Sequence, residues 1–372
     1  MTISNKSNLM SKRFLNLDAL RGLAAILVVW QHSSEIFIRT PSIAQHGTSL
    51  AEIISQLDFG RIGVICFFLI SGFVIPYSFS GARSSLKTFA IRRFFRLYPA
   101  YWISLFIAVA LAWLIADRVF PTTTVAANIT MLQSLMGFDN VQGLYWTLTA
   151  ELIFYCLCSF LFARSLLASP QTLLLFCWGG LSLFIGWQLL GKLPVSLPEL
   201  PPTITYIPYC IAVMFCGTLI RHCHIENKDY WYATLALAPT FFIPLLVLGL
   251  HFLGMSVTED PIRFGLSHLI ALLIFFLALS STFNPWRPLI TLGTISYSIY
   301  LLHPVVIRLL KWTVQQPWGQ VFSSFTLEVY LLATTLGSIA LAAIVYRLIE
   351  KPSINLGRRL SRKHSRNIVA TA

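Results

Sequence analysis

Apolar stretches of about 20 residues, each long enough to cross a bilayer as a helix, follow one another along almost all of this 372-residue chain. A backbone in lipid must satisfy its own polar groups, so only helices or a closed barrel can span, and these runs are too continuous for short alternating strands. Only 11% of the residues are charged, against about 25% in an ordinary soluble domain, which excludes a soluble globular fold. The chain is therefore expected to be an all-α polytopic membrane protein with about ten transmembrane helices. They are placed near 18–38, 60–80, 98–117, 142–163, 171–190, 203–221, 231–251, 263–283, 289–311 and 326–349. Proline, glycine and charge punctuate them in GARSSLK, KLPVSLPELPP, HIENKD, SVTEDP and NPWRP. The proline-rich KLPVSLPELPPTITYIP leaves room for a re-entrant piece. The first stretch has no small-residue cleavage site and reads as a retained span.

The net charge of +13 is dispersed between apolar stretches, and no nucleic-acid module is present, so no nucleic-acid partner is expected. Topology accounts for the charge better. With the N-terminus in the cytoplasm, twenty Lys and Arg fall on that side and seven, from Arg39 to Lys311, on the other. Both termini are then cytoplasmic. The organisation expected is one membrane domain over 1–352 and a short basic tail over 353–372 that can meet anionic headgroups. No internal repeat supports an inverted-repeat transporter. The cysteines lack metal-ligand spacing, and His222, Cys223 and His224 read as a loop end, so no metal site is expected.

Arg21 and His32 lie eleven residues apart in the first span, LDALRGLAAILVVWQHSSEIF. Eleven steps of about 100° overshoot three turns by roughly 20°, so both side chains leave one helix face, separated by a rise of roughly 16 Å. A cation near the surface with a base deeper on the same face can hold a phosphorylated donor by its head while the reactive end reaches the histidine. Ionisable groups at that depth are expensive and mark function by default. By the same reckoning Glu151 in YWTLTAELIFY, Ser71 in FFLISGF and His303 in SYSIYLLHP fall at a similar level in three other helices, which suggests a shared cavity.

His32 suits a general base, because imidazole can take a proton near neutrality. Glu151 can orient it, with Glu35 as a rival acid one turn on. Arg92, Arg93 and Arg96 are expected just before the third helix, where guanidinium groups and free N–H groups at a helix N-terminus favour phosphate, and Pro99 falls in its first turn. Each has a plainer reading. A buried histidine can simply bond a carbonyl, Glu151 can pair with an arginine, and the arginines can be ordinary loop charge. Ser71 with Gly72 can serve helix packing, and His303 can line the cavity or hold a structural hydrogen bond.

In order along the chain, LDALRGLAAILVVWQH, GVICFFLISGF, RRFFRLYPAYW, YWTLTAELIFY, ISYSIYLLH and IEKP resemble acyltransferase family 3 of bacterial polytopic membrane proteins, which includes O-acetyltransferases of lipopolysaccharide, exopolysaccharide and nodulation factors. The resemblance implies transfer of an acyl group, usually acetyl from cytoplasmic acetyl-CoA as co-substrate, to a carbohydrate hydroxyl, often on a lipid-linked glycan, at the bacterial inner membrane. It gives His32 the role of essential base, Arg21 a partner role, Arg93 and Arg96 the donor site, and Glu151 the family's acid. Glu350 and Lys351 match the closing motif and read best as a structural ion pair. No bound cofactor and no metal are implied. A different class of function, a carrier moving a lipid-linked sugar with His32 and Glu151 as a proton relay, also accounts for the buried groups but leaves the arginines unexplained.

Overall fold

A computed structural model of the protein describes residues 3–40, 53, 56–79, 86–116, 118–191, 200–226, 230–254, 260–281 and 284–370, with side chains from 14 to 362 except Ile225 and Glu226. Most of GARSSLK, KLPVSLPELPP and SVTEDP, and with them the expected re-entrant piece, lie outside the described residues. The longer helices are α1 (Ile3–Ile38), α2 (Phe59–Val74), α3 (Leu86–Ala116), α4 (Thr122–Ile129), α5 (Trp146–Ala163), α6 (Pro170–Leu190) and α7 (Ile207–Glu226). Then follow α8 (Tyr230–Phe252), α9 (Pro261–Ser280), α10 (Arg287–Thr294), α11 (Ser296–Gln315), α12 (Leu327–Val345) and α13 (Lys351–Ala370). No strand occurs among the described residues. Nine of their helices are long and apolar enough to cross a membrane, or up to ten if the bent pair α10 and α11 makes one span.

Two expectations need correction. The third helix begins at Leu86, not near 98, so Arg92, Arg93 and Arg96 ride on its interior and Pro99 lies within it. There are then no free N–H groups of a helix N-terminus beside these arginines. The expected ninth helix is two, because Ile295 (φ −101°, ψ 8°) leaves the α-helical region and turns the chain by 77°.

The chain divides into two compact units, Met1–Phe67 with Phe241–Glu350 and Phe68–Thr240 with Lys351–Ala372, the divide falling inside α2 and α8. In lipid the apolar surface of a helix gains little by meeting another, so close packing of small residues carries association. In the first unit α1 packs against α9, α10, α11 and α12. A Cβ on Gly22 would overlap the Leu289 carbonyl, and one on Gly293 the Asp18 carbonyl, so α1 and α10 touch backbone to backbone. Ala25, Val29, Ile295, Ile299 and Ala342 form the core beside that contact. Phe37, Ile307, Val314, Leu327, Tyr330 and Leu331 form a second core. Together they clamp the half of α1 that carries His32 between α11 and α12.

In the second unit the later part of α2 meets α7 through Gly72 against the Met214 carbonyl and Gly217 against the Leu69 carbonyl. Thr218 Oγ1 donates to the Gly72 carbonyl at 2.9 Å, and an Arg221 N–H to the Phe73 carbonyl at 2.9 Å. These bonds satisfy the end of α2, and Phe154 of α5 packs on Phe215 of α7. Helix α13 lies along α3: Gly357 sits over Phe95, and Arg92 Nε donates to Ser361 Oγ at 3.0 Å.

Candidate functional site

Helix α1 is continuous from Ile3 to Ile38, so the eleven-residue spacing keeps Arg21 and His32 on one face. Arg21 is half-buried, and so is His32. His32 Nδ1 lies 2.8 Å from Nε2 of His303, which is fully buried on α11. The ring planes differ by 13° and the centroids stand 5.1 Å apart, longer than the N···N distance by about one ring diameter. The rings therefore meet edge to edge along a hydrogen bond and do not stack face on face. His303 Nδ1 lies 3.3 Å from the Ile299 carbonyl, one turn back on its own helix. Among the described residues nothing hydrogen-bonds His32 Nε2.

Neighbouring polar groups of α1 are tied down separately. Ser33 Oγ donates to Thr334 Oγ1 at 2.9 Å, while Gln31 donates to Glu35 at 2.8 Å and accepts the Phe59 N–H at 2.9 Å. Arg263 lies 3.6 Å from Glu35 and 4.0 Å from Asp260, and Arg61 lies 3.5 Å from Asp58. Glu35, the rival orienting acid, is thus engaged by Gln31 and Arg263, and the group on His32 Nδ1 is a second imidazole.

The second unit holds Ser71, Glu151, Arg93 and Arg96. Glu151 Oε1 accepts from Tyr155 Oη at 2.5 Å and from Ser71 Oγ at 3.3 Å, which brings Ser71 and Glu151 together. The Arg93 guanidinium lies over the rings of Phe89, at 5.3 Å, and Tyr155, at 5.5 Å. Among the described residues its buried Nε has no hydrogen-bond partner, so the cation rests on aromatic faces with at least this donor left over. Arg96, half-buried, follows three residues later on α3. Glu350 is buried and accepts from Ser298 Oγ at 2.5 Å, whereas Lys351 is exposed. Among the described residues no group of three or more His, Cys, Asp or Glu is arranged to hold a metal ion.

One participant escapes the sequence reading, and the partner of another is not legible in it. Tyr155, four residues after Glu151, faces both the carboxylate and Arg93, and that i,i+4 spacing in ELIFY was a usable signal. His303 was noted only as a possible cavity-lining or hydrogen-bonding residue. Its partner lies 271 residues away, a pairing that no local pattern encodes.

Long apolar helices with ionisable side chains among them define a multi-pass integral membrane protein, and in such a protein intramembrane ionisable groups are candidates for chemistry or transport. The particular family is settled by comparison: the chain belongs to acyltransferase family 3, whose model, an acyltransferase domain, matches residues 14–347. It is similar to nodulation protein 10 of Rhizobium leguminosarum bv. viciae, 25% identical over 397 aligned positions that cover 93% of this chain and 96% of that protein. A shorter stretch is similar to the acyltransferase MdmB of Streptomyces mycarofaciens, 30% identical over 155 positions and 38% of each chain. Another resembles protein 2 in the picA locus of Rhizobium radiobacter, 31% identical over 99 positions, 25% of this chain and 43% of that protein. No solved structure matches the chain. The protein is a membrane acyltransferase.

Proposed function

We propose that this acyltransferase is an O-acyltransferase of the bacterial inner membrane that moves a short acyl group, acetyl from acetyl-CoA, onto a carbohydrate hydroxyl of a cell-surface or exported glycan. The observation that carries the reading is the partly buried His32, bonded through Nδ1 and without an Nε2 partner among the described residues, on the helix face that also bears Arg21. As the acceptor oxygen attacks the acyl carbon, its proton passes to His32 Nε2. The C–S bond then breaks, and the departing sulfur takes that proton, leaving the ester and free CoA thiol. Arg93 and Arg96 are assigned to the donor's phosphates, with Arg21 as a partner cation. The Nε–H of Arg93, without a partner among the described residues, suits an anion. Glu151 is assigned as a positioning acid of the second unit, through Ser71 and Tyr155.

The acceptor class rests on the family and on similarity to a nodulation protein, and the glycan is either free or lipid-linked. Twenty against seven basic residues support the assignment of both termini to the cytoplasm, with a membrane domain over 1–352 and a basic tail over 353–372. The test is CoA release from acetyl-CoA by the purified protein with candidate glycan acceptors, for wild type, His32→Ala and Arg96→Ala at matched folding. Acceptor-dependent release lost in both variants supports the reading. Release that survives His32→Ala in a folded protein refutes the base, and a protein that neither binds acetyl-CoA nor releases CoA turns the choice toward a lipid-linked sugar carrier.

A further inference from the structure

The geometry points to His303 as the positioning residue of the acyl transfer: it fixes the tautomer of His32, holding the His32 proton on Nδ1 so that the lone pair stands on Nε2. The inference rests on the reading of His32 as the base. It starts at the buried end of the chain of groups. A carbonyl oxygen can only accept, so the 3.3 Å approach of His303 Nδ1 to the Ile299 carbonyl is a hydrogen bond only when Nδ1 carries the proton. The neutral His303 ring then presents a lone pair at Nε2. That lone pair, 2.8 Å from His32 Nδ1, requires the His32 proton to be on Nδ1. The opposite arrangement sets a nitrogen lone pair against the Ile299 carbonyl oxygen at a site shielded from water, where unmatched polar groups are costly. One carbonyl thus dictates, through two rings, which nitrogen of His32 can receive a proton.

The edge-to-edge meeting of the rings supports this, because a nearly coplanar line of donors and acceptors gives the bond its direction. His303 is fully buried and His32 is not, so the order of the chain runs from anchor to reactive end. Its anchorage is local: Ile299, which supplies the carbonyl, is itself buried in the core that holds α11 to α1. In the hydrolytic triads an acid occupies this place and also stabilises the imidazolium by its charge. Here the neutral ring supplies orientation and a polarised hydrogen bond.

The decisive measurement is the protonation pattern of the His32 ring by ¹⁵N NMR. Histidine-labelled protein in lipid nanodiscs would be used, with the His32 signal identified by its loss in His32→Ala. Wild type should show the proton on Nδ1. His303→Leu removes the acceptor and should leave His32 a mixture of tautomers on a ring no longer held in orientation, the two losses together lowering kcat by about 10²-fold with KM for acetyl-CoA within about twofold. His303→Gln places an amide oxygen near the Nε2 position and should restore both the Nδ1–H form and kcat to within about tenfold of wild type. A wild-type His32 protonated on Nε2 overturns the proposal without reference to activity or to any variant's folding. So does equal inactivity of the Leu and Gln variants with the His32 tautomer unmoved, which would mark His303 as packing alone. Full turnover of His32→Ala would instead refute the base reading, and it is distinguishable because the tautomer is read independently of the reaction.

Discussion

The candidate groups of the two units, His32 in the first and Arg93 in the second, are held in different ways. In the first, His32 is bonded to His303, Glu35 to Gln31 and Arg263, and Asp58 to Arg61, so that specific atoms are engaged and, among the described residues, nothing meets His32 Nε2. In the second, Arg93 rests on the faces of Phe89 and Tyr155 with its Nε–H unpartnered among the described residues, while the Glu151 carboxylate is occupied by Tyr155 and Ser71. Under the proposed function each arrangement suits a different chemistry. A base works only if one nitrogen is held ready, and directional hydrogen bonds do that. An anion site works only if donors are left over, and cation–π contacts place a guanidinium without consuming them.

The comparison breaks most readily at His32. Replacing it with alanine should lower kcat by about 10²-fold to 10⁴-fold with the melting temperature near that of wild type, and should remove the loss of rate on acidification. The sign follows from the role: protonation fills Nε2, so a base-dependent rate falls as pH falls. Turnover with and without acceptor, followed across pH, checks this, and a variant that only melts earlier would make the histidine structural.

Arg93→Ala should act on binding instead, raising the donor KM by about tenfold or more, with a much smaller change in kcat. Arg93→Lys should recover only part of that loss, because a lysine keeps the charge but not the planar fork. Isothermal titration with CoA separates the cases, and unchanged affinity in both variants would end the contrast between the units.

Tyr155→Phe keeps the ring under Arg93 and removes only the hydroxyl on Glu151. Loss of one hydrogen bond to a charged group is worth about 1.5–3 kcal/mol at most, so a rate loss between about tenfold and 10²-fold is expected, with donor affinity nearly unchanged. A large fall in CoA affinity would instead mean that the hydroxyl, not the ring, holds Arg93.

The smallest effect is expected at Glu35→Gln. Its pairing with Arg263 is partly exposed, with side-chain exposures of 35% and 25%, and such pairs contribute at most about 1 kcal/mol. A kcat within about threefold of wild type sharpens the assignment of His303 as the group that holds His32. A loss comparable to that of His32→Ala would return the orienting role to this acid.

Much of the fold was legible in the chain. The spans lie where apolar runs of bilayer length were read, because hydropathy and length are local properties. The shared face of Arg21 and His32 followed from the helical period and needed only an unbroken α1. The start of α3 was not legible: Pro99 reads as a first-turn residue, yet the helix runs through it from Leu86, with α13 packed alongside through Gly357 and Ser361. The break at Ile295 was hidden for a related reason, since the apolar pattern continues across it while the contact of Gly22 with Gly293 holds α10 against α1.

By itself, then, the sequence determined a multi-pass helical membrane protein, its approximate spans, and a cation and an imidazole on one face of the first helix. Composition, length and the 3.6-residue period act over a few turns and need no partner. Only the tertiary structure decided that His32 meets His303, that Glu151 meets Ser71 and Tyr155, and that Arg93 lies on aromatic rings. Hydrogen bonds and ring contacts are short and directional, so their partners are chosen by how helices distant in sequence cross and rotate, which no local pattern contains.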